Sequence, residues 1–134
     1  MIASAAEFHR LRTSNQPEEY RRAAIEAADE AVWLDIITNY PDMRFWVAQN
    51  KTVPLSILRL LARDTDSEVR IMVAMKRKLD LELFDLLSRD QDPAVRRHIA
   101  LNPKVPLKVL NRLAGDEETF VADAAIERLG ASSG

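Results

Sequence analysis

Side chains able to do chemistry are few in this chain, and they fall into a small number of groups. Asp64 with Arg70, and Asp90 with Arg96, each place a carboxylate six residues before a guanidinium. Such an aspartate could be mistaken for a catalytic acid. The histidines are His9 and His98, and the sequence contains no cysteine. A zinc-type site would need further nitrogen or sulfur ligands at close spacing, and neither histidine has one nearby. Lys76, Arg77 and Lys78 form a single basic cluster that could meet a phosphate. Acidic stretches run from Asp64 to Glu68 and from Asp116 to Thr119. No serine–histidine or paired-carboxylate arrangement stands at a meaningful spacing. The glycines, Gly115, Gly130 and Gly134, are too few and scattered for a phosphate-cradling loop. His98 therefore reads as a packing residue on the shoulder of a buried face, and Trp33 as core. The basic cluster reads as a solvated turn. No catalytic residue, metal ligand or cofactor is assigned, and an enzyme is not expected.

The reason these residues recur lies in the elements that carry them. PLSILRLLARDTDSEVRIMVA, from Pro54, returns as DLELFDLLSRDQDPAVRRHIA from Asp80 and as PLKVLNRLAGDEETFVADAAI from Pro106. Equivalent positions stay 26 apart, as with Leu61, Leu87 and Leu113, or Asp64, Asp90 and Asp116. A period of this length marks a repeat architecture. Within one unit, Leu55, Leu58, Leu61 and Ala62 recur at three and four, predicting a short helix with these residues on its inner face. After the charged run, Val69, Met72 and Val73 define a second helix. Such short helices are marginal alone, so they must stack. The expected fold is all-α: a short, right-handed α-solenoid of stacked helix pairs.

The same residues carry a family resemblance. Asp90, Val95, Arg96, Ile99, Ala100, Asn102, Pro103, Pro106, Leu110, Leu113 and Ala114 resemble the leucine-rich repeat variant, a close relative of HEAT repeats. The junction at Ala48, Asn50, Pro54, Leu58, Leu61 and Ala62 departs from it by Lys51. The middle junction departs more, with Lys76, Arg77 and Asp80 at the Asn, Pro and Pro positions. The resemblance covers roughly two-thirds of the chain by this pattern. It implies that Asp64, Arg70, Asp90 and Arg96 form a structural ladder tying adjacent turns together. One member type holds an iron–sulfur cluster on N-terminal cysteines, which this cysteine-free chain cannot do. As a fold signal the resemblance is specific; as a function signal it is not, since such scaffolds serve many ends.

Repeats are expected at 51–76, 77–102 and 103–130, the last as a C-terminal cap. A degenerate repeat at 30–50 and capping helices at 1–29 precede them, the whole forming one domain, with a disordered tail at 131–134. Met1 to Thr13 reads as a helix, and Asn15 with Glu18 as a capping box for the next, which runs to Ala28. Charge is nearly balanced, at 21 acidic against 19 basic side chains in 134 residues. That argues against a surface built wholly for nucleic acid. The first residues are too short and mixed for a secretory signal, and no apolar run approaches a membrane span. A cytoplasmic monomer is the default expectation.

The outward faces of the two helices differ. Opposite Leu58 the first helix carries Ser56, Arg59 and Arg63, then Glu82, Asp85 and Arg89, then Lys108 and Asn111, polar throughout. On the second helix, stepping 100° per residue from Val69 turns Glu68, Ile71 and Met75 outward. Their equivalents are Asp42, Phe45 and Gln49 before, and Ala94, Arg97 and Leu101, then Phe120, Asp123 and Glu127 after. The resemblance implies that these second helices line a concave groove. An apolar stripe rimmed by charge suits a protein partner. The expected site is therefore Phe45, Gln49, Glu68, Ile71, Met75, Arg97, Leu101, Phe120, Asp123 and Glu127. Small, acidic, cysteine-free bacterial solenoids of this look resemble stoichiometric inhibitors, including immunity proteins that neutralise a toxin domain. The alternative is a nucleic-acid-binding or DNA-repair HEAT-like protein, for which Arg97, Lys76 and Lys104 supply few cations. The bland reading is that curvature buries the stripe between neighbours.

Overall fold

Most helices begin where a short polar side chain or a proline can stand ahead of their unpaired N–H groups. A computed structural model describes residues 1–133 of the chain, with side chains through Ala131. Ser4 accepts from the Glu7 N–H at the head of α1 (Ala5–Thr13), and Pro17 occupies the first turn of α2 (Pro17–Ile25). Next come α3 (Glu30–Asn39), a 3-10 turn (Pro41–Met43), α4 (Arg44–Gln49) and α5 (Leu55–Leu61). The chain continues as α6 (Ser67–Ala74), α7 (Leu81–Ser88), α8 (Pro93–Leu101), α9 (Leu107–Leu113) and α10 (Thr119–Ser133). Asp66, Asp80 and Asp92 cap α6, α7 and α8, each carboxylate accepting a first-turn N–H. The protein is all-helical, with no strand among the described residues and one isolated bridge between Ile2 and Ala28.

The helices gather into two compact units, Met1–Leu61 and Ala62–Gly134. The boundary falls inside the repeat expected at 51–76, between its two helices. In the first unit α1 packs on α2 and α3, α2 on α4, and α5 on both α3 and α4. Phe8, Leu11, Trp33, Ile36, Val47 and Ile57 are fully buried there, with Phe8 and Trp33 edge to face at 5.7 Å. In the second unit α6 packs on α8 and α8 on α10, making one layer, while α7 packs on α9 in another. Val73, Leu83, Leu87, Val95, Ile99, Val109, Leu113 and Val121 fill the space between the layers. Each such side chain contributes roughly 1.5–3 kcal/mol of hydrophobic stabilisation. This burial is what holds helices of seven to nine residues that water alone would unwind.

Several local expectations are corrected. Residues 1–4 do not continue α1; the Ile2 N–H instead donates to the Ala27 carbonyl at 2.8 Å, tying the chain start to the end of α2. That pairing needs extended backbone, so α2 stops at Ile25 and not at Ala28. Asn15 does not cap α2: Gln16 holds the N-cap place without a side-chain bond, and Pro17 presets the first turn. Leu55 does not lead the inner face. Ile57, Leu83 and Val109 are buried in that role, while Leu81 and Leu107, the equivalents of Leu55, are 61% and 63% exposed. Residue 55 stands 200° from residue 57, so with Ile57 buried Leu55 leaves the centre of the inner face and is only half-buried. Finally, α10 runs through Gly130 to Ser133, and that glycine keeps a negative φ and so forms no left-handed cap. Of the tail expected at 131–134, Gly134 lies outside the described residues.

Candidate partner-binding face

The geometry of the second unit is set by two sets of hydrogen bonds repeating at the 26-residue interval. The first lies at the helix starts. Arg70 donates through Nε and Nη2 to Asp90 at 2.9 and 3.2 Å, and through Nη1 to the Asp64 carbonyl at 2.8 Å. Arg96 repeats this with Asp116 at 2.9 and 3.1 Å and with the Asp90 carbonyl at 2.6 Å. The six-residue interval thus works through a backbone carbonyl, while each guanidinium forks onto the aspartate 20 residues further on. Asp64, Asp90 and Asp116 also accept from the N–H two residues ahead, at 2.9 Å in each case. The Asp90 hydrogen bond raises the pKa of Arg70, and the Asp116 hydrogen bond does the same for Arg96. At Asp116 burial pushes the carboxyl up, yet the Arg96 hydrogen bonds and the backbone N–H outweigh it and hold it below its ordinary value.

The second set lies at the helix ends. Asn102 Nδ2 donates to the carbonyls of Ala74 and Lys76 at 2.8 and 2.7 Å, while its Oδ1 accepts from the Lys104 N–H at 2.9 Å. Arg128, 26 residues on, donates to the carbonyls of Ala100 and Asn102 at 2.9 and 3.0 Å. In the first unit Asn50 does the same for Ala23 and Glu26, at 2.8 and 3.0 Å. These clamps close the carbonyls that helix ends leave without a partner. Lys76 occupies the same place in the register; burial holds its amine down at about 8. Sequence reading missed Asp116 and Arg128 as members of these sets. The signal was present, as the intervals 64–90–116 and 76–102–128.

Start bonded to start and end to end, α6, α8 and α10 must run parallel in one layer. Their outer surface collects most of the expected site. Glu68, Met75, Arg97, Leu101, Phe120, Asp123 and Glu127 are exposed, and Ile71 is half-buried. Met75 at 51% and Phe120 at 45% are open enough to meet a second surface. Arg97, Asp123 and Glu127 form no ion pair among the described residues. His98, beside Arg97, is half-buried, and burial followed by the Arg97 charge lowers its pKa.

Phe45 and Gln49 belong to the first unit. Phe45 is half-buried, edge-on to Trp46 at 4.9 Å, and Arg12 stacks over that indole at 3.4 Å. Gln49 is exposed. His9 lies against Tyr40 at 5.1 Å. Among the described residues no group of three His, Cys, Asp or Glu side chains is placed to hold a metal.

The opposite layer differs in chemistry. A cleft of about 410 Å³ between α7 and α9 is lined by Leu81, Glu82, Asp85, Lys108, Val109 and Arg112. Its central charges are satisfied: Arg112 donates to Asp85 at 3.0 Å and to the Ser88 hydroxyl. The Arg112 bond, ahead of the pull of Arg89, lowers the pKa of Asp85. Among the described residues no helix is long and apolar enough to cross a membrane. Comparison with family models, with curated proteins and with solved structures found no match for the chain.

Proposed function

We propose that the chain is a non-enzymatic α-solenoid that binds a protein partner on the open face of its second helices. The observation that carries this reading is a contrast within one unit. The ladder arginines Arg70 and Arg96 are buried and bidentately paired, whereas Arg97, Asp123 and Glu127 next to them stand exposed and unpaired beside Met75, Leu101 and Phe120. Exposed arginine, methionine and aromatic side chains clustered at the centre of a surface are the groups in which interface energy concentrates. The finer form of the proposal is a stoichiometric inhibitor of the immunity-protein kind, neutralising a toxin domain. It rests on the chain's small size, slight acidity and lack of cysteine, and on the absence of a readable catalytic constellation in the sequence.

The test is co-purification with the product of the adjacent gene, followed by affinity measurement. Ile71→Asp or Arg97→Glu should weaken binding at least about tenfold, or 1.4 kcal/mol, with the helical signal intact. Lys108→Glu, on the opposite layer, should be silent. The reverse pattern would place the site on α7 and α9 and refute the reading. One observation favours nucleic acid instead: Arg77, Lys78 and Lys104 are exposed near the ends of α6 and α8. Glu68, Asp123 and Glu127 on the same layer oppose a polyanion. Retention on heparin beyond about 0.3 M salt, lost on Arg77→Glu, would favour that alternative.

A further inference from the structure

Asp123 and Glu127 stand four residues apart on α10, exposed on the same side of the helix. Like charges at this spacing repel and disfavour the helix that carries them. Three other carboxylates of the unit are paired with arginines: Asp90 with Arg70, Asp116 with Arg96, and Asp85 with Arg112 and Arg89. This pair is not. Arg97 is the equivalent of Asp123 one repeat earlier, on the helix that packs against α10, yet it reaches neither carboxylate.

The register shows what lies beside the pair. Met75, Leu101 and Glu127 are equivalent positions on α6, α8 and α10, so one row crosses the layer from apolar to acidic. Adjacent packed helices lie about 8–10 Å apart, so the row spans roughly 16–20 Å. At 1.5 Å per residue this is the length of a helix of about 11–13 residues.

Resting on the partner-binding reading above, we propose that this face takes a cationic amphipathic helix of a protein partner. Its apolar side chains lie on Met75 and Leu101, and a lysine or arginine lies on Asp123 and Glu127. Charge complementarity makes the choice. A cation between the two carboxylates removes their repulsion, whereas an acidic helix would meet them with only Arg97 in its favour on the helix faces, Arg77, Lys78 and Lys104 lying past the ends of α6 and α8. An anionic lipid surface or a phosphodiester backbone is disfavoured on the same count.

The experiment uses the full chain and two fluorescein-labelled peptides of about 14 residues, patterned as amphipathic helices. One is built of leucine and lysine, the other of leucine and glutamate. By fluorescence anisotropy the leucine–lysine peptide should bind at least about tenfold more tightly. The double change Asp123→Lys with Glu127→Lys should reverse that preference, with the circular dichroism spectrum unchanged. Glu82→Lys, on α7, should leave it alone. Equal affinity for the two peptides, or an equal effect of Glu82→Lys, overturns the proposal as mere net-charge attraction. Preference for the leucine–glutamate peptide, weakened by Met75→Asp, overturns the cationic class while the partner face stands. If neither peptide's binding responds to Met75→Asp or Leu101→Asp, the face itself is wrong and both readings fall. A dimer in sedimentation equilibrium that Met75→Asp dissociates assigns the face to a second copy and overturns the proposal too.

Discussion

Replacing Arg96 by alanine tests whether the ladder holds the second unit together. The substitution removes three donated hydrogen bonds, two to the Asp116 carboxylate and one to the Asp90 carbonyl. The side chains of Arg96 and Asp116 are only 11% and 10% exposed, so the abandoned carboxylate cannot turn freely into water. Breaking a buried pair by removing one partner costs about 3–5 kcal/mol. Two features place this case at the lower end. Asp116 keeps the Glu118 N–H at 2.9 Å, and it precedes α10, whose positive end favours a carboxylate. A loss of about 3 kcal/mol follows, and for a chain of this size about 10–15 °C in Tm. Urea and thermal unfolding followed by circular dichroism measure it. A double-mutant cycle with Asp116→Asn should show coupling above about 1 kcal/mol, since residues sharing hydrogen bonds are not additive. Acid adds a check. The folded pKa of Asp116 is lowered, so its stabilisation is complete above the ordinary value of 3.8 and is lost as pH falls through the folded value. The variant should lack that acid-side loss. Additivity within about 0.5 kcal/mol and an unchanged Tm would refute the ladder.

Asn102→Asp turns a donor toward two carbonyl oxygens into a carboxylate facing them. It should cost at least about 2 kcal/mol, more as pH rises through the carboxylate range, and a flat pH profile of its urea midpoint would count against the clamp. The Lys76 amine has a folded pKa near 8 against an ordinary 10.5, so the unfolded chain binds more protons between these values and stability rises with pH across that window. The stability of the wild type relative to Lys76→Met should therefore rise from about pH 7 to about pH 10; a constant difference would contradict the burial of that amine. EDTA should leave the unfolding midpoint of untagged protein unchanged, because no three-ligand cluster is placed to bind an ion among the described residues. An ion surviving dialysis at one per chain would refute it.

The local features legible in the sequence are those that depend on which way a residue points. The three-and-four spacing of Leu58, Leu61, Val69 and Val73 reports the inner side of each helix, because burial is repaid by apolar contact wherever that side turns. The opposite positions, Met75, Arg97, Leu101, Asp123 and Glu127, are accordingly found in solvent. Where the pattern departs from the structure by two residues, at Leu55, the difference arises in the first turn. There no preceding turn constrains the side chain, and the real inner residue is Ile57.

Pairing was not legible in the same way, because it depends on how one helix lies on the next. Asp64 and Arg70 are six apart in sequence, yet the fork of Arg70 closes on Asp90, since parallel packing of α6 and α8 sets the start of one helix beside the start of the other. Asn102 and Arg128 look unrelated as residue types and do the same work, because a pair of helix-end carbonyls lacking intrahelical partners accepts an amide or a guanidinium alike. The strap from Ile2 to Ala27 leaves no periodic trace at all, being a single backbone bond. Periodicity therefore determined the all-helical elements, their register and the face each shows to water. Only the tertiary structure decided which charges are consumed in holding helices together and which are left free, since that follows from distances between helices that no single helix encodes.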